Sequence, residues 1–224
     1  MKLIFTKRNH KGVTEVSSSK KDESKVSVYA SGEQAMMDSS QAQRHWLFLP
    51  LLKLLVKCKV TPNHLTLLSL LCGIGFCFTY GLNWNLAKPL AFGLLLMHVL
   101  LDGIDGPLAR LTGTAGNRGS FTDTTSDQLI VAFTTMTLIY YKVINVLPGS
   151  LYLFFYTLVV VFAMIRSSLA IPYSWLIRPR LIVYAWFLVE VYLFPGTLNY
   201  LLWFFTVLLA WKSITGFYKI RKKL

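Results

Sequence analysis

Residues 94–133 read LLLMHVLLDGIDGPLARLTGTAGNRGSFTDTTSDQLIVAF, so two apolar runs flank a polar segment rich in glycine and aspartate. Similar apolar runs recur along most of the 224-residue chain, which is 54% hydrophobic. A soluble domain of this size is usually less apolar, and a run of about 20 apolar residues is long enough to cross a bilayer. The sequence therefore predicts an all-α integral membrane protein.

Three segments of the chain differ in composition. Residues 1–41 are rich in Ser, Lys, Glu and Gln and poor in aliphatic residues, which predicts a disordered basic tail. Residues 42–60 are apolar, but Lys53 and Lys57 share one helical face, which favours an interfacial amphipathic helix over an extra span. Residues 61–224 predict a membrane domain with six transmembrane helices, at 65–82, 89–110, 121–141, 150–167, 181–195 and 198–216.

The net charge of +13 is unevenly distributed along the chain. With six spans, 21 of the 23 Lys and Arg residues fall on one side of the membrane, and only Lys88 and Lys142 fall on the other. Cytoplasmic segments of membrane proteins carry such an excess. We therefore expect a multi-pass protein with both termini and the acidic segment on the cytoplasmic side. The same distribution makes membrane lipids, and not nucleic acid, the expected partner of the basic residues.

Four aspartates lie where the second and third predicted spans approach each other. Asp102 and Asp105 are three residues apart, and Asp123 and Asp127 are four apart, so each pair projects from one face of its helix. Glycines between the pairs interrupt the helix and let the chain reverse. A solvated acidic turn is the simpler alternative, but Asp102 lies within an apolar run, where an acidic residue normally faces a polar interior.

Divalent cations would balance the charge of this cluster. Two ions supply four positive charges, and ligands that are all oxygen atoms favour Mg²⁺ or Mn²⁺ over zinc. Two such ions close together are suited to in-line displacement at phosphorus. The sequence therefore predicts a two-ion site.

Eight residues of the segment stand at characteristic spacings: Asp102, Asp105, Gly106, Ala109, Arg110, Gly119, Asp123 and Asp127. This pattern resembles the signature of the CDP-alcohol phosphatidyltransferases (CDP-alcohol phosphotransferases), integral membrane enzymes of phospholipid synthesis. The stretch TPNHLT at 61–66 and the six spans behind an interfacial helix are also similar to that family. The resemblance covers residues 42–216, so 61–224 becomes the expected catalytic domain.

The resemblance implies transfer of a substituted phosphate from a CDP-linked donor to a hydroxyl, with release of CMP. It implies that Asp102, Asp105, Asp123 and Asp127 hold the metal ions, and that Asp127 also acts as general base on the acceptor hydroxyl. Donor contacts are implied for Asn63, Thr66, Gly106, Ala109, Arg110 and Gly119. A homodimer is typical of the family.

We expect the donor to be CDP-diacylglycerol, because its acyl chains can remain in lipid beside an active site at the membrane face. The acceptor is then a small alcohol from the cytoplasm, such as glycerol 3-phosphate, an inositol phosphate, serine or inositol. Arginines near the aspartates are candidates for binding a phosphate or carboxylate of the acceptor, namely Arg118, Arg166, Arg178 and Arg180. Topology anchoring and lipid headgroup contact explain the last three equally well.

Two other functions remain open. Within the family, the donor could be CDP-choline or CDP-ethanolamine and the acceptor diacylglycerol. In a different class, a cation transporter or channel also uses intramembrane carboxylates. Aspartates on a translocation path, however, need not cluster at one membrane face beside a glycine-rich turn and an arginine.

Overall fold

The computed structural model describes residues 48–169, 171 and 178–224, and every regular element in these ranges is a helix. Helix α1 covers residues 48–57. The later helices are α2 (Pro62–Tyr80), α3 (Ala87–Leu111), α4 (Asn117–Tyr140), α5 (Val146–Ser168), α6 (Pro179–Tyr192) and α7 (Thr197–Arg221). The predicted all-α fold is confirmed, and each predicted span overlaps one of the helices α2–α7. The predicted tail, 1–41, and residues 42–47 of the predicted interfacial helix lie outside the described residues.

Four of these helices, α2, α3, α5 and α7, are long and apolar enough to cross a membrane. Helix α6 has only 14 residues, which makes it about 21 Å long. Helix α4 has 24 residues, but its N-terminal half is polar and carries two aspartates. Large apolar side chains such as Phe78 and Val207 are exposed on the outside of the bundle, as hydrocarbon surroundings require. The chain is a helical membrane protein, with four spans supported by length and composition.

Helices α3 and α4 both pack against α2. Helix α2 packs most extensively on α3, and α4 contacts both α2 and α5. A Cβ atom added to Gly73 of α2 would lie 2.6 Å from Cδ1 of Ile130 on α4. The absence of a side chain at Gly73 therefore allows close approach of the two helices, as small residues do in membrane proteins. This contact fixes the position of the helix that carries Asp123 and Asp127.

Helix α1 packs beside the acidic end of α3. The side chain of Leu52 is fully buried in a small apolar cluster. The other buried members of this cluster are Leu65 of α2 and Ile104 and Leu108 of α3. Ile104 directly precedes Asp105 in the sequence. The contact therefore holds the part of α3 that carries the aspartates.

The start of α2 is fixed by a reciprocal cap. The backbone N–H of His64 donates to Thr61 Oγ1 over 3.4 Å, and the Thr61 N–H donates to His64 Nδ1 over 3.5 Å. Pro62 occupies the first turn, where its missing N–H costs no hydrogen bond. This local sequence sets where α2 begins and so places Thr66, one turn later, towards α3.

The buried side chain of Glu190 joins α6 to α7. Its carboxylate accepts hydrogen bonds from the backbone N–H groups of Gly196, over 2.5 Å, and Leu198, over 2.7 Å. These groups lie at the start of α7, where N–H groups lack intrahelical partners and the helix dipole favours negative charge. The sequence assigns no role to Glu190, and the structure assigns it the cap of α7.

Replacement of Glu190 by alanine should destabilise the protein. The buried Leu198 N–H left without an acceptor costs roughly 1–3 kcal/mol, so we expect a clear fall in the Tm of the purified protein, measured by intrinsic fluorescence in detergent. The matched control is Trp186→Phe, which removes an exposed hydrogen bond to Thr197 at the same turn. We expect that control to change stability by only about 0.5 kcal/mol. Equal losses of Tm in the two variants would contradict the capping role.

Candidate functional site

The four aspartates lie on two neighbouring helices. Asp102 and Asp105 are in the C-terminal half of α3, and Asp123 and Asp127 are in the N-terminal half of α4. Between the helices the chain reverses through residues 112–116, where Gly113 has a φ of +68°, a left-handed conformation that favours glycine. The turn therefore places the two acidic helix ends side by side.

Three of the four carboxylates come together. One oxygen atom each of Asp102, Asp123 and Asp127 lies within 4.8 Å of the others, and all three residues are half-buried. At such distances two unit charges repel by about 4 kcal/mol in surroundings with an effective dielectric constant near 20. The arrangement therefore needs positive charge close by.

The fourth carboxylate, Asp105, is held by a neighbouring helix. Oδ2 of Asp105 accepts a hydrogen bond of 2.8 Å from the Thr66 hydroxyl of α2, and the residue is 6% exposed. Its oxygens lie outside the group formed by the other three. Thr66, which the resemblance implies as a donor contact, thus orients one predicted metal ligand.

The positive charge in the cluster comes from Arg180 in the first turn of α6. Its Nη2 donates to Asp102 Oδ2 over 2.7 Å, and its Nη1 forms an ion pair with Asp127 Oδ1. The guanidinium is buried, with 6% of the side chain exposed. Sequence analysis places Arg180 near the acceptor, whereas the structure places it between two of the predicted metal ligands. It therefore balances part of the negative charge of the site.

The signature residues with small side chains border open space beside the aspartates. A Cβ added to Gly106 would meet only Nη1 of Arg110, at 3.7 Å, and one added to Gly119 would meet nothing within 4 Å. Arg110 is exposed, and its guanidinium extends back towards Gly106, one turn earlier on α3. Ala109 is half-buried, and Asn63 is exposed at the start of α2. This surface has room for a ligand close to the backbone of α3.

The remaining predicted acceptor residues are spread around the acidic helix ends. Arg118 is exposed in the first turn of α4, and Arg178 is exposed immediately before α6. Arg166, in the last turn of α5, is 6% exposed. Among these arginines, Arg180 forms salt bridges to two of the aspartates.

Sequence analysis did not identify Ser69 as part of the support for α3. Ser69 Oγ lies 2.8 Å from Nδ1 of His98, and both residues are buried. His98 is one turn before Asp102, so this contact fixes the rotation of α3 against α2 near the site. The signals in the sequence were His98, four residues before Asp102, and a serine at helical spacing from Thr66, and both patterns are common in membrane helices.

The donor atoms of the site suit hard divalent cations. The group of three contains carboxylate oxygens and neither thiolate nor imidazole, and Asp105 adds a further carboxylate beside it. Oxygen ligands of this kind favour Mg²⁺ and Mn²⁺. The residues present therefore fit a divalent metal site.

Comparisons with known proteins agree with this geometry. The model of the CDP-alcohol phosphatidyltransferase family matches residues 59–217, which is most of the chain. An uncharacterized protein of Aquifex aeolicus (strain VF5) is 42% identical over 83 residues, a match that spans 37% of this chain and 40% of the length of that protein. The matched range contains the four aspartates, the glycine-rich turn and Arg180. The chain therefore belongs to the CDP-alcohol phosphatidyltransferase family.

Proposed function

We propose that the protein transfers a phosphatidyl group from CDP-diacylglycerol to a small alcohol and releases CMP. The observation that carries this proposal is the meeting of three carboxylate oxygens within 4.8 Å at the end of apolar helices, inside the region that matches the family. A donor with two acyl chains suits a site on a membrane protein, since its chains remain in lipid while its diphosphate reaches the aspartates.

In this proposal, Asp102, Asp105, Asp123 and Asp127 hold two Mg²⁺ or Mn²⁺ ions. Members of the family use a divalent metal, and bound cations would offset the charge of the donor diphosphate and of the departing CMP. Other residues of the chain hold these aspartates in position before substrate binds. The Thr66 hydroxyl orients Asp105, and the packing of Gly73 against Ile130 sets the distance between α4 and α2.

The donor occupies the open surface along α3. Arg110 meets the diphosphate through charge-assisted hydrogen bonds, and Gly106, Ala109 and Gly119 allow the nucleotide to approach the backbone. Asn63 and Thr66, at the start of α2, face the cytidine end. The open space beside Gly106 and Gly119 supports these roles.

Asp127 acts as the general base. Its carboxylate takes the proton of the acceptor hydroxyl, and the acceptor oxygen bonds to the phosphorus that bears the diacylglycerol. The bond from this phosphorus to the oxygen shared with CMP breaks, and CMP leaves with the electron pair. Asp127 is the aspartate farthest along α4, with 20% of its side chain exposed, which is consistent with access to a second substrate.

The acceptor binds among the arginines around the site. Arg118, Arg166, Arg178 and Arg180 give this region a basic character that favours an acceptor with a phosphate or carboxylate. Glycerol 3-phosphate and an inositol phosphate fit this charge better than serine or inositol.

The proposal includes the arrangement in the membrane. Helices α2–α7 form six spans, α1 lies in the headgroup layer, and both termini and the active site face the cytoplasm. The excess of Lys and Arg on one side supports this orientation. The active form is a homodimer, as the family resemblance implies.

The donor and the metal requirement can be tested together. We expect the purified protein to release CMP from CDP-diacylglycerol only when Mg²⁺ or Mn²⁺ and a suitable alcohol are present, with the lipid product identified by mass. Chelation by EDTA should reduce the rate to background, and added metal should restore it. Activity with CDP-choline or CDP-ethanolamine and diacylglycerol would favour the alternative donor. Metal transport into vesicles without CMP release would favour a transporter.

The role of Asp127 is tested by Asp127→Asn, which keeps the size of the side chain but removes its basicity. Loss of a general base lowers kcat by about 10²–10⁴-fold, and we expect a loss in this range for CMP release. Asp38→Asn makes the same chemical change in the N-terminal tail and should keep the wild-type rate. Wild-type CMP release by Asp127→Asn would exclude Asp127 as the base and leave the family assignment intact.

The acceptor site is tested by Arg178→Ala, since Arg178 is exposed and its removal leaves no buried cavity. Loss of a hydrogen bond to a charged group should raise the acceptor KM by about tenfold, with the donor KM unchanged. Arg166→Ala should act in the same direction. Lys88→Ala removes an exposed charge at the opposite end of α3 and serves as the control. An acceptor KM that is unchanged in both arginine variants would remove these residues from the site.

A further inference from the structure

Arg180 occupies an unusual position for a cation. It lies in the first turn of α6, where the helix dipole is positive and disfavours positive charge. The residue is only 5% exposed, so water does not solvate its guanidinium well. Burial of an unpaired charge is strongly unfavourable. The contacts with Asp102 and Asp127 therefore account for the position of this side chain.

One guanidinium bridges carboxylates from two helices. Nη2 contacts Asp102 on α3, and Nη1 contacts Asp127 on α4. Both of these aspartates belong to the group whose oxygens lie within 4.8 Å of one another. Arg180 thus makes, from one side chain, the kind of bridge between α3 and α4 that a bound cation makes.

We propose that Arg180 is an internal counter-ion that competes with the divalent cations for Asp102 and Asp127. This inference rests on the proposed function, because it takes the aspartates to be metal ligands. In the metal-free protein the guanidinium holds the two carboxylates together. When these carboxylates bind metal, the guanidinium leaves them, since a cation and a guanidinium on the same oxygens repel each other in a buried site.

The competition has two consequences for the protein without substrate. The metal-free fold is more stable with Arg180 than without it, because the guanidinium reduces repulsion among the carboxylates. The apparent metal affinity is lower with Arg180, because only the fraction of molecules with the guanidinium displaced is competent to bind. If that fraction is about 10% or less, removal of the competitor should strengthen metal binding at least about tenfold.

The test measures Mn²⁺ binding by the purified full-length protein, stripped of metal with a chelator, from the electron paramagnetic resonance signal of free Mn²⁺. Arg180→Gln removes the charge and keeps a polar side chain. We expect its Kd for Mn²⁺ to fall at least about tenfold below the wild-type value. Its Tm without metal should fall, and its rise in Tm on addition of Mn²⁺ should exceed that of the wild type.

Two further variants separate the competition from general effects. Arg178→Ala removes the same charge two residues away from an exposed position, so a long-range electrostatic effect alone would strengthen Mn²⁺ binding equally in both variants. We expect a much smaller change for Arg178→Ala. Arg180→Lys keeps one positive charge but offers a single nitrogen in place of two, so its Kd should lie between those of wild type and Arg180→Gln. This variant also provides the comparison if Arg180→Gln does not fold.

Several outcomes would overturn the proposal. A Kd that is unchanged or higher in both Arg180 variants would show that Arg180 orients the carboxylates or serves the fold alone. An experimental structure with bound Mn²⁺ in which Arg180 Nη2 stays in hydrogen-bond contact with Asp102 Oδ2 would also contradict the competition. Absence of Mn²⁺ binding in the wild type and in both Arg180 variants would instead overturn the proposed metal site itself, and Asp123→Asn would then match the wild type. The failure of either proposal can thus be recognised separately.

Discussion

The attraction between one buried guanidinium and two carboxylates joins three helices of this bundle. Helix α6 makes few backbone contacts with α3, yet Arg180 connects it to Asp102 on α3 and to Asp127 on α4. Clustered carboxylates in apolar surroundings repel one another by several kcal/mol if nothing offsets their charge. The position of α6 and the spacing of the acidic helix ends therefore depend on the same balance of charge.

Helix α2 positions both of the helices that carry the aspartates. Thr66, Ser69 and Gly73 are spaced by three and four residues, so they lie along one face of the helix. The first contacts Asp105 and the second contacts His98, both on α3, and the third admits Ile130 of α4. A single stripe of small or polar residues thus sets the rotation of one acidic helix and the distance of the other.

The apolar runs and the aspartate spacings were sufficient to predict the helices and the acidic ends of two of them, because both signals arise from neighbouring residues. Contacts between distant parts of the chain could not be predicted in this way. Arg180 is 78 residues from Asp102, and only the packing of α6 brings them together. The separate environment of Asp105 likewise depends on the rotation of α3, which the sequence spacing does not specify. The Glu190 cap of α7 is also a tertiary contact.

The shortness of α6 affects where the acidic end of the bundle lies relative to the bilayer. Its 14 residues extend about 21 Å, whereas the hydrocarbon core is about 30 Å thick. Glu190 ties one end of α6 to α7, and Arg180 ties the other end to α3 and α4, so neither end is free to shift outward. In the proposed six-span arrangement, α6 is shorter than the hydrocarbon core, and local thinning of the bilayer or a water-filled depression near Arg180 would accommodate it. In that arrangement, a phosphate that reaches the aspartates would lie deeper than the surrounding lipid headgroups, where bulk water has less access.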